Sequence, residues 1–430
     1  MTGDFPGKPI QKELSHLEVS IEANRCLYCY DAPCTRACPT HIDIPRFIAQ
    51  IADGNVTGSA RTILDANPLG ASCARVCPVE ELCEGACVYN TESDTPIRIG
   101  DLQRYSTDVV REAGTRIFDA GAPTGKRVAI VGGGPAGLAA ARDLRRYGHA
   151  VTIFEARKQL GGLNTFGIVP FRLSTDVALW EAQQVIELGC DVRTSARVGD
   201  DVSAASLVAE YDAIILACGM GDVPQLRIPG QEYARDALAF IERAKTTGDA
   251  PGLGNRVAVI GAGNTAIDAL TCAKRLGAEQ VTMYYRRGEA EMPAYEFEYD
   301  FAKEEGIEFR FHCAPVRVIA EGGSVVGLEL ARTNAEGSFV APCDTVISAI
   351  GQNRLLDAID ALGVAHDNGV VRVDDALRTT REGVFAAGDC IFAKGVREAM
   401  VVEAAEQGKI AARSVHEYLG VLRTTVEASG

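Results

Sequence analysis

This sequence lacks long apolar runs, an excess of basic charge and low-complexity segments. Lys and Arg number 43 against 58 Asp and Glu, which gives a formal net charge of −15. That balance argues against nucleic-acid binding, because a basic surface is needed to neutralise phosphates. Nowhere does the chain approach the roughly 18 consecutive apolar residues of a membrane span. We therefore expect a protein that binds neither nucleic acid nor a membrane.

The first residues also lack a secretion signal. The stretch "MTGDFPGKPIQKEL" has neither the basic start nor the apolar run of a signal peptide, so we expect a cytoplasmic protein. In a reducing compartment, 14 cysteines indicate metal ligation or redox chemistry rather than structural disulfides. Eight of them lie between Cys26 and Cys87. The others are scattered, and we expect them to be isolated, small, buried apolar side chains: Cys190, Cys218, Cys272, Cys313, Cys343 and Cys390.

A chain of 430 residues has room for about three domains. Residues 1–121 have the pattern of short helices separated by turns rich in Cys and Pro, as in "IPRFIAQIADG" and "TGSARTILDANPLG". The run "DAGAPTGKR" has the composition of a linker. From Lys126 the pattern changes to alternating strands and helices, and a helix from about Arg397 to Tyr418 closes the chain.

A strand, a glycine turn, a helix and a second strand occur twice, about 129 residues apart. The first copy is "RVAIVGGGPAGLAAARDLRRYG" with "AVTIFEA", and the second is "RVAVIGAGNTAIDALTCAKRLG" with "QVTMYYRR". Repetition of this βαβ unit predicts an α/β fold with two Rossmann-like dinucleotide-binding modules.

The first glycine turn predicts a pyrophosphate site. Gly132 permits the tight bend, Gly134 lets the backbone approach the anion, and the helix that begins at Pro135 and Ala136 offers it N–H groups. Glu155 ends the second strand, where its carboxylate can accept hydrogen bonds from ribose hydroxyls.

The second glycine turn has alanine in place of the third glycine of the G-x-G-x-x-G motif, a variant that dinucleotide-binding turns allow. Arg286 and Arg287 follow the next strand, where an NAD site usually carries an acid. Guanidinium groups there suit a ribose 2′-phosphate and favour NADP, although a solvated arginine pair is the alternative, so NAD against NADP stays open. The residues assigned to this site are Gly261, Gly263, Asn264, Thr265, Arg286, Arg287 and Gly351.

The late stretch "GVFAAGD" resembles a strand of flavoprotein disulfide reductase-like folds in which Gly388 precedes an acid, Asp389, that holds the flavin's ribityl chain. This resemblance implies an NAD(P) module, residues 251–351, inserted into an FAD module of residues 122–250 and 352–430. Such reductases also need a cysteine pair facing the flavin. After Cys87 the sequence offers only scattered cysteines, which argues against that thiol chemistry.

The stretch "CLYCYDAPCTRACP" opens the cysteine-rich region, which contains Cys26, Cys29, Cys34, Cys38, Cys73, Cys77, Cys83 and Cys87. Short gaps let one loop wrap a cluster face, and Cys-Pro occurs in ferredoxin-type runs, so a pair of 4Fe-4S clusters fits the spacing. Zinc is the alternative, although only Cys26 and Cys29 have the Cys-x-x-Cys form of a zinc knuckle.

The order of cysteine region, FAD turn, NAD(P) turn and "AAGD" resembles the FAD-containing subunit of bacterial NAD-dependent dihydropyrimidine dehydrogenase. The chain is also similar to the N-terminal half of the eukaryotic enzymes and to the glutamate synthase small subunit. "DAPCTRACPTHIDI" and "PIRIGDLQRY" favour the pyrimidine branch. The resemblance implies one cluster on Cys26, Cys29, Cys34 and Cys87 and another on Cys38, Cys77, Cys83 and Gln103. Cys73 would be spare, and an ordinary surface amide is the alternative for Gln103.

The stretch "GGLNTFGIVPFRL" resembles the family's flavin-contacting segment, which assigns Leu163 and Arg172 to the flavin site. Within it, Thr165-Phe166-Gly167 resembles the glutamate synthase sequence more closely, which keeps that alternative open.

The resemblance implies an NAD(P)H-oxidising, FAD-dependent subunit that passes electrons through both clusters and needs no catalytic acid or base of its own. Its partner would be an FMN- and iron-sulfur-containing subunit that reduces uracil or thymine. The alternatives are a glutamate synthase small subunit and a zinc-bearing flavin scaffold without turnover.

Overall fold

The computed structural model describes residues 13–92, 95–393 and 399–420. Residues 1–12, on which the expected absence of a signal peptide rests, lie outside this range, as does Arg397, the expected start of the last helix. The chain forms two compact units. We call Phe166–Thr175 together with Gly221–Asn353 the inserted unit, and the rest of the described chain the main unit.

The main unit begins with a helical region. Its helices are α1 (His16–Arg25), α2 (Pro33–Ala37), α3 (Ile44–Ala52), α4 (Val56–Ala66), α5 (Gly70–Val76), α6 (Tyr89–Glu92) and α7 (Ile99–Glu112). The predicted helix in "IPRFIAQ" is α3, which buries Ile44, Phe47, Ile48 and Ile51 because they recur at helical spacing. These side chains share a core with the half-buried Cys26, Cys34, Cys83 and Cys87.

The main unit continues into an α/β region, with β1 (Arg127–Val131), α8 (Pro135–Arg146), β2 (Ala150–Phe154), α9 (Leu163–Phe166), α10 (Thr175–Ile186), β3 (Asp191–Arg193), α11 (Ala204–Glu210) and β4 (Ala213–Leu216). After the first residue, β1 and β2 are buried throughout, as continuous apolar strands of a parallel sheet are.

The inserted unit contains the second predicted βαβ copy. Its elements are β5 (Ala234–Asp236), α12 (Ala237–Thr247), β6 (Arg256–Ile260), α13 (Asn264–Arg275), β7 (Gln280–Tyr284), α14 (Glu296–Glu304), β8 (Glu308–Arg310), β9 (Cys313–Glu321), β10 (Ser324–Arg332), β11 (Ser338–Ala341) and β12 (Thr345–Ser348). A parallel sheet has the order β5-β12-β6-β7-β8, and an antiparallel sheet has the order β11-β10-β9. The predicted hairpin turns at Gly322 and Gly323, which both have positive φ.

The chain then returns to the main unit with α15 (Leu356–Ala361), β13 (His366–Asp367), β14 (Val370–Val371), β15 (Val384–Ala386) and α16 (Val401–Tyr418). Strand β15 pairs with β4 and completes a sheet of order β15-β4-β1-β2-β3. Since this sheet is built from both sides of the insertion, the predicted fold class, one Rossmann-like module inserted into another, is confirmed.

The expected domain boundaries at residues 121, 250 and 351 stay predictions. In this structure the longer segment of the inserted unit starts at Gly221, because β5 pairs with β12 and α12 packs against α13. Among the described helices, none has the length and apolar character needed to cross a membrane.

Candidate cofactor sites

Two glycines of the first turn have no room for a side chain, whereas a third borders open space. A Cβ on Gly132, whose φ is +109°, would lie 2.2 Å from the Ala217 carbonyl oxygen, and one on Gly137 would lie 2.0 Å from the Gly132 carbonyl oxygen. A Cβ on Gly134 would meet only the Cα of Gly162, at 3.8 Å. Gly134 therefore borders open space, as an approach of the backbone to a pyrophosphate requires.

Helix α8 begins at this turn with Pro135 at its first position, and its N-cap residue, Gly134, has no side chain that could cap it. Glu155 follows β2 and is buried; its Oε2 accepts a hydrogen bond from the Gly133 N–H at 2.8 Å and its Oε1 from the Arg157 N–H at 2.7 Å. Each carboxylate oxygen has two acceptor sites, so a ribose hydroxyl can still donate to Glu155.

Gly388 brings the end of β15 to the start of α8. Its φ is +78°, and a Cβ there would lie 2.9 Å from the Cβ of Ala136. The next residue, Asp389, has its carbonyl oxygen held by Nη1 of Arg354 at 2.8 Å, and burial raises the pKa of its carboxyl group. The predicted flavin residues of the glycine turn and of "GVFAAGD" therefore meet at one edge of the sheet.

Leu163 also lies near the first turn, since Gly161, two residues before it, donates its N–H to the Gly133 carbonyl oxygen at 2.7 Å. Arg172 belongs to the inserted unit instead. Its Nη1 lies 2.7 Å from Oε1 of Glu298 and 3.3 Å from Oδ1 of Asp268. Its assignment to the flavin stays a prediction, because the structure shows carboxylate partners for its guanidinium group.

The second glycine turn repeats the geometry of the first. A Cβ on Gly261, at φ +132°, would lie 2.2 Å from the Ala349 carbonyl oxygen, whereas one on Gly263 would find its nearest atom, in Pro293, at 3.9 Å. Asn264 opens α13, and its Oδ1 accepts a hydrogen bond from the Tyr295 N–H at 3.2 Å. The open space again borders the second glycine of the motif.

The remaining residues assigned to the second site surround the carboxyl ends of β7 and β12. Arg286 and Arg287 follow β7 and are exposed, and Nε of Arg287 lies 4.0 Å from Oε1 of Glu291. Thr265 is half-buried at the start of α13, and Gly351 follows β12 at φ +109° with no atom within 4 Å of a Cβ built on it. The arginine pair is therefore accessible to a phosphate.

A first thiol-lined cavity lies in the helical region. The cysteines that line it are those that the family resemblance assigns to one cluster: Cys26, Cys29, Cys34 and Cys87. Burial raises the pKa of the Cys26 thiol and raises that of Cys34 to about 11.

A second cavity is lined by the other predicted set, Cys38, Cys77, Cys83 and Gln103. Gln103 is 6% exposed, so the alternative of a surface amide is wrong. Its Nε2 donates to the Gly70 carbonyl oxygen at 2.7 Å, which leaves the amide oxygen as the atom that could ligate iron. The ligand set stays a prediction, because Cys73 also lines this cavity.

Cys73, expected to be spare, is buried and accepts a hydrogen bond from Nδ2 of Asn67 at 3.2 Å. A hydrogen bond with Cys73 and then burial raise the pKa of Cys77, while burial and then the charge of Glu84 raise that of Cys83. These thiols therefore favour the protonated form in the bare protein. Binding of a positively charged iron core would reverse that preference. Thiolates are the usual ligands of 4Fe-4S clusters, so the chemistry of these donors suits such clusters.

Glu181 has a role at this site that the sequence did not indicate. It lies on α10 with 1% of its surface exposed, and its Oε1 accepts the N–H groups of Ala71 at 2.8 Å and of Ser72 at 2.9 Å. It therefore caps α5, the helix that carries Cys73 and ends at Cys77. A glutamate in the middle of an amphipathic helix carries no signal of such a partner.

Comparison with known proteins places both regions in families. Residues 5–115 match the family described as "Dihydroprymidine dehydrogenase domain II, 4Fe-4S cluster", and residues 126–408 match "Pyridine nucleotide-disulphide oxidoreductase". Thioredoxin reductase of Lactococcus lactis shares the fold, with a TM-score of 0.57 and 21% identity over 68% of this chain and 99% of its own.

Other relatives match nearly the whole chain. The NAD-dependent dihydropyrimidine dehydrogenase subunit PreT of Salmonella typhimurium is 36% identical over 93% of this chain and 94% of its own. The small chain of Escherichia coli glutamate synthase [NADPH] is 33% identical over 96% of this chain and 94% of its own. The predicted cofactors FAD, NAD(P)H and 4Fe-4S clusters are those of these families, and the chain belongs to the pyridine nucleotide-disulphide oxidoreductases that carry an N-terminal 4Fe-4S domain, the group that includes PreT.

Proposed function

We propose that this chain oxidises NAD(P)H and passes the electrons through FAD and two 4Fe-4S clusters to a partner subunit that reduces uracil or thymine to the dihydropyrimidine. The partner would carry FMN and iron-sulfur clusters. The proposal rests on the match to PreT over nearly the whole of both chains, since PreT is named as a subunit of an NAD-dependent dihydropyrimidine dehydrogenase.

The arrangement of the thiol-lined cavities supports electron transfer out of the flavin module. Val402 lines the second cavity and belongs to α16, the helix that follows Gly388 and Asp389 in the chain. Ile44 lines both cavities. Clusters in these positions would form a series that starts beside the flavin module.

The bound groups would supply hydride acceptance from the nicotinamide and release of electrons one at a time. The chain's own residues would bind and orient them. Gly134 and Glu155 would position the dinucleotide of FAD, Gly263 that of the nicotinamide, and the thiols of the helical region would hold iron. No side chain has to exchange a proton with the pyrimidine, because that substrate would bind to the partner.

The test is to purify the protein anaerobically with its native partner and to follow NADH and NADPH oxidation with uracil and with thymine. We expect pyrimidine-dependent oxidation and an FMN-containing companion. Oxidation that responds only to artificial acceptors, in a preparation with its full complement of iron and FAD, would contradict the pyrimidine assignment.

A second candidate is a subunit that supplies electrons to glutamate synthase. It is favoured by the 33% identity to the small chain and by Thr165-Phe166-Gly167, which resembles the glutamate synthase sequence. Glutamate formation from 2-oxoglutarate and glutamine by the same preparation would select it. Buried Gln103 argues against it, because the resemblance places an acid at this position in glutamate synthase subunits.

A further inference from the structure

Two of the cysteines expected to be isolated lie side by side in the main unit. Cys218 follows β4, and Cys390 lies in the short 3₁₀ helix that follows β15. These strands are parallel neighbours, with Ala386 opposite Leu216, so they deliver both cysteines to the same edge of the sheet. The Cys390 Sγ lies 3.4 Å from the carbonyl oxygen of Leu216, two residues before Cys218. The neighbouring Cys218 thiol and burial both raise the pKa of Cys390.

The surroundings of the two thiols differ. Cys390 is 1% exposed, and its Sγ lies 3.4 Å from the Leu216 carbonyl oxygen and 3.3 Å from that of Ala387. Cys218 is half-buried. A thiol that reagents can reach therefore lies beside one that they cannot, which is the arrangement of an attacked cysteine and a resolving cysteine.

The pair also borders the first glycine turn. The Cα of Cys218 is 3.0 Å from a Cβ built on Gly132, and Cys390 directly follows Asp389. Any change in the bonding of these sulfurs therefore acts on backbone that belongs to the proposed flavin site.

We propose that Cys218 and Cys390 form a reversible dithiol–disulfide pair that is closed by exchange with a small-molecule disulfide and that controls how tightly FAD is held. The part that concerns FAD rests on the proposed function. Exchange requires the attacking sulfur to be a thiolate, and it proceeds through a mixed disulfide.

The chemistry balances in two steps. The Cys218 thiolate attacks one sulfur of the small disulfide, and one half leaves as a thiol that takes up the proton lost by Cys218. Cys390 then loses its proton, and its thiolate attacks the Cys218 sulfur of the mixed disulfide. The bond between Cys218 and the second half breaks, and that half leaves as a thiol that takes up the proton of Cys390. The protein loses two electrons and two protons, and one small disulfide becomes two thiols.

Closing this bond would draw the Cys390 sulfur away from the carbonyl oxygens of Leu216 and Ala387. Because Asp389 precedes it in the same turn, we expect the dissociation constant of FAD to rise about tenfold, which corresponds to about 1.4 kcal/mol. Reduction would restore the original affinity.

The experiment uses the full chain with its clusters, prepared without oxygen. Samples are equilibrated in mixtures of reduced and oxidised glutathione, alkylated, digested and examined for a peptide pair cross-linked through Cys218 and Cys390. The same samples are titrated with FAD by flavin fluorescence. We expect the cross-link and the weaker FAD binding to appear together and to disappear together after dithiothreitol.

Cys218→Ala and Cys390→Ala are each expected to remove both effects, and Cys190→Ala, which changes a half-buried cysteine beyond α10, is expected to retain them. Separately alkylated Cys218 and Cys390 in the most oxidising buffer would overturn the proposal, and so would a cross-link that leaves FAD affinity unchanged. A reduced protein that binds no FAD would contradict the proposed function instead, because the peptide map does not depend on FAD.

Discussion

Glu181 and Ser72 join the flavin-binding part of the main unit to its helical region. The Glu181 carboxylate accepts the backbone N–H of Ser72 at 2.9 Å and also the Ser72 hydroxyl, and both residues are buried. Helix α5 thus has its first turn fixed by a side chain more than a hundred positions away, and its last turn leads to Cys77.

Removing the Glu181 carboxylate should loosen this helix. Glu181→Ala leaves the buried N–H groups of Ala71 and Ser72 without their acceptor, which costs about 1–3 kcal/mol for each group. We expect a lower urea midpoint and faster amide exchange across α5. Glu187→Ala, which removes an exposed carboxylate beyond α10, should change stability by less than about 0.5 kcal/mol. Equal effects of the two variants would contradict this role.

The same residue predicts a pH dependence. Burial raises the pKa of Glu181 from 4.5 to about 7, although the hydrogen bonds from Ser72 and Ala71 act to lower it. Between these values the folded protein holds a proton that the unfolded chain has lost, so this group makes the free energy of unfolding fall as the pH rises. Glu181→Gln cannot titrate and should lack that fall between about pH 5 and 7. Parallel pH profiles for the variant and the wild type would refute the assignment.

The glycines of the first turn should separate binding from folding. A Cβ on Gly134 meets open space, so Gly134→Ala should fold normally but retain less FAD after gel filtration. Gly137→Ala places a Cβ 2.0 Å from the Gly132 carbonyl oxygen, and overpacking of this kind costs about 1–3 kcal/mol. It should therefore lower the thermal midpoint. An FAD content in Gly134→Ala equal to that of the wild type would contradict the site.

The fourth ligand of the second cavity can be identified by iron content. If Gln103 ligates, Gln103→Leu should reduce iron from about eight to about four atoms per chain, whereas Cys73→Ser should retain all of it. Gln50→Leu removes a half-buried amide that accepts a hydrogen bond from Thr62 and lines neither cavity, so it serves as the control. The reverse result for Gln103 and Cys73 would make Cys73 the ligand.

Arg172 should be essential to the stability of the inserted unit. Arg172→Met leaves the buried carboxylate of Glu298 without its partner and leaves Lys245 as the cation beside Asp268, which costs about 3–5 kcal/mol. Neutralising both acids as well should recover most of this loss. Arg243→Ala breaks an exposed pair with Asp249 and should cost less than about 1 kcal/mol. Calorimetry of the variants measures these differences, and an unchanged transition in Arg172→Met would exclude the role.

Removing the exposed arginine pair tests the choice of nicotinamide. Arg286→Ala combined with Arg287→Ala should raise the KM for NADPH and leave that for NADH nearly unchanged, because only NADPH carries the 2′-phosphate. Steady-state assays with an artificial acceptor measure both. An equal rise of both KM values would mean that the arginines contact a part of the nucleotide that NADH and NADPH share.

Features that are local in the sequence were predictable. Both glycine turns lie between a strand and a helix that are contiguous with them, so the geometry of each turn can be read from one short stretch. The hairpin at Gly322 and Gly323 is local in the same sense. The set that lines the first thiol cavity includes Cys87, which is distant in the sequence, and only the family resemblance supplied it.

Features that depend on distant strand pairing were not predictable. Cys218 and Cys390 meet because β15 returns to pair with β4 after the whole inserted unit, and no spacing rule relates positions so far apart. Arg172 has partners on α13 and α14, elements of a module that follows it in the chain. The expectation of isolated cysteines is wrong for Cys218 and Cys390 for this reason.

The pairing of β4 with β15 also affects how the protein is made. β4 leaves the ribosome about 170 residues before β15, so its apolar sequence Ala-Ile-Ile-Leu is an unpaired sheet edge while the inserted unit is being synthesised. Unpaired apolar edges are templates for aggregation. A nascent chain, or a gene fragment that stops before Val384, therefore presents a surface that a chaperone would have to cover until synthesis of the last strand.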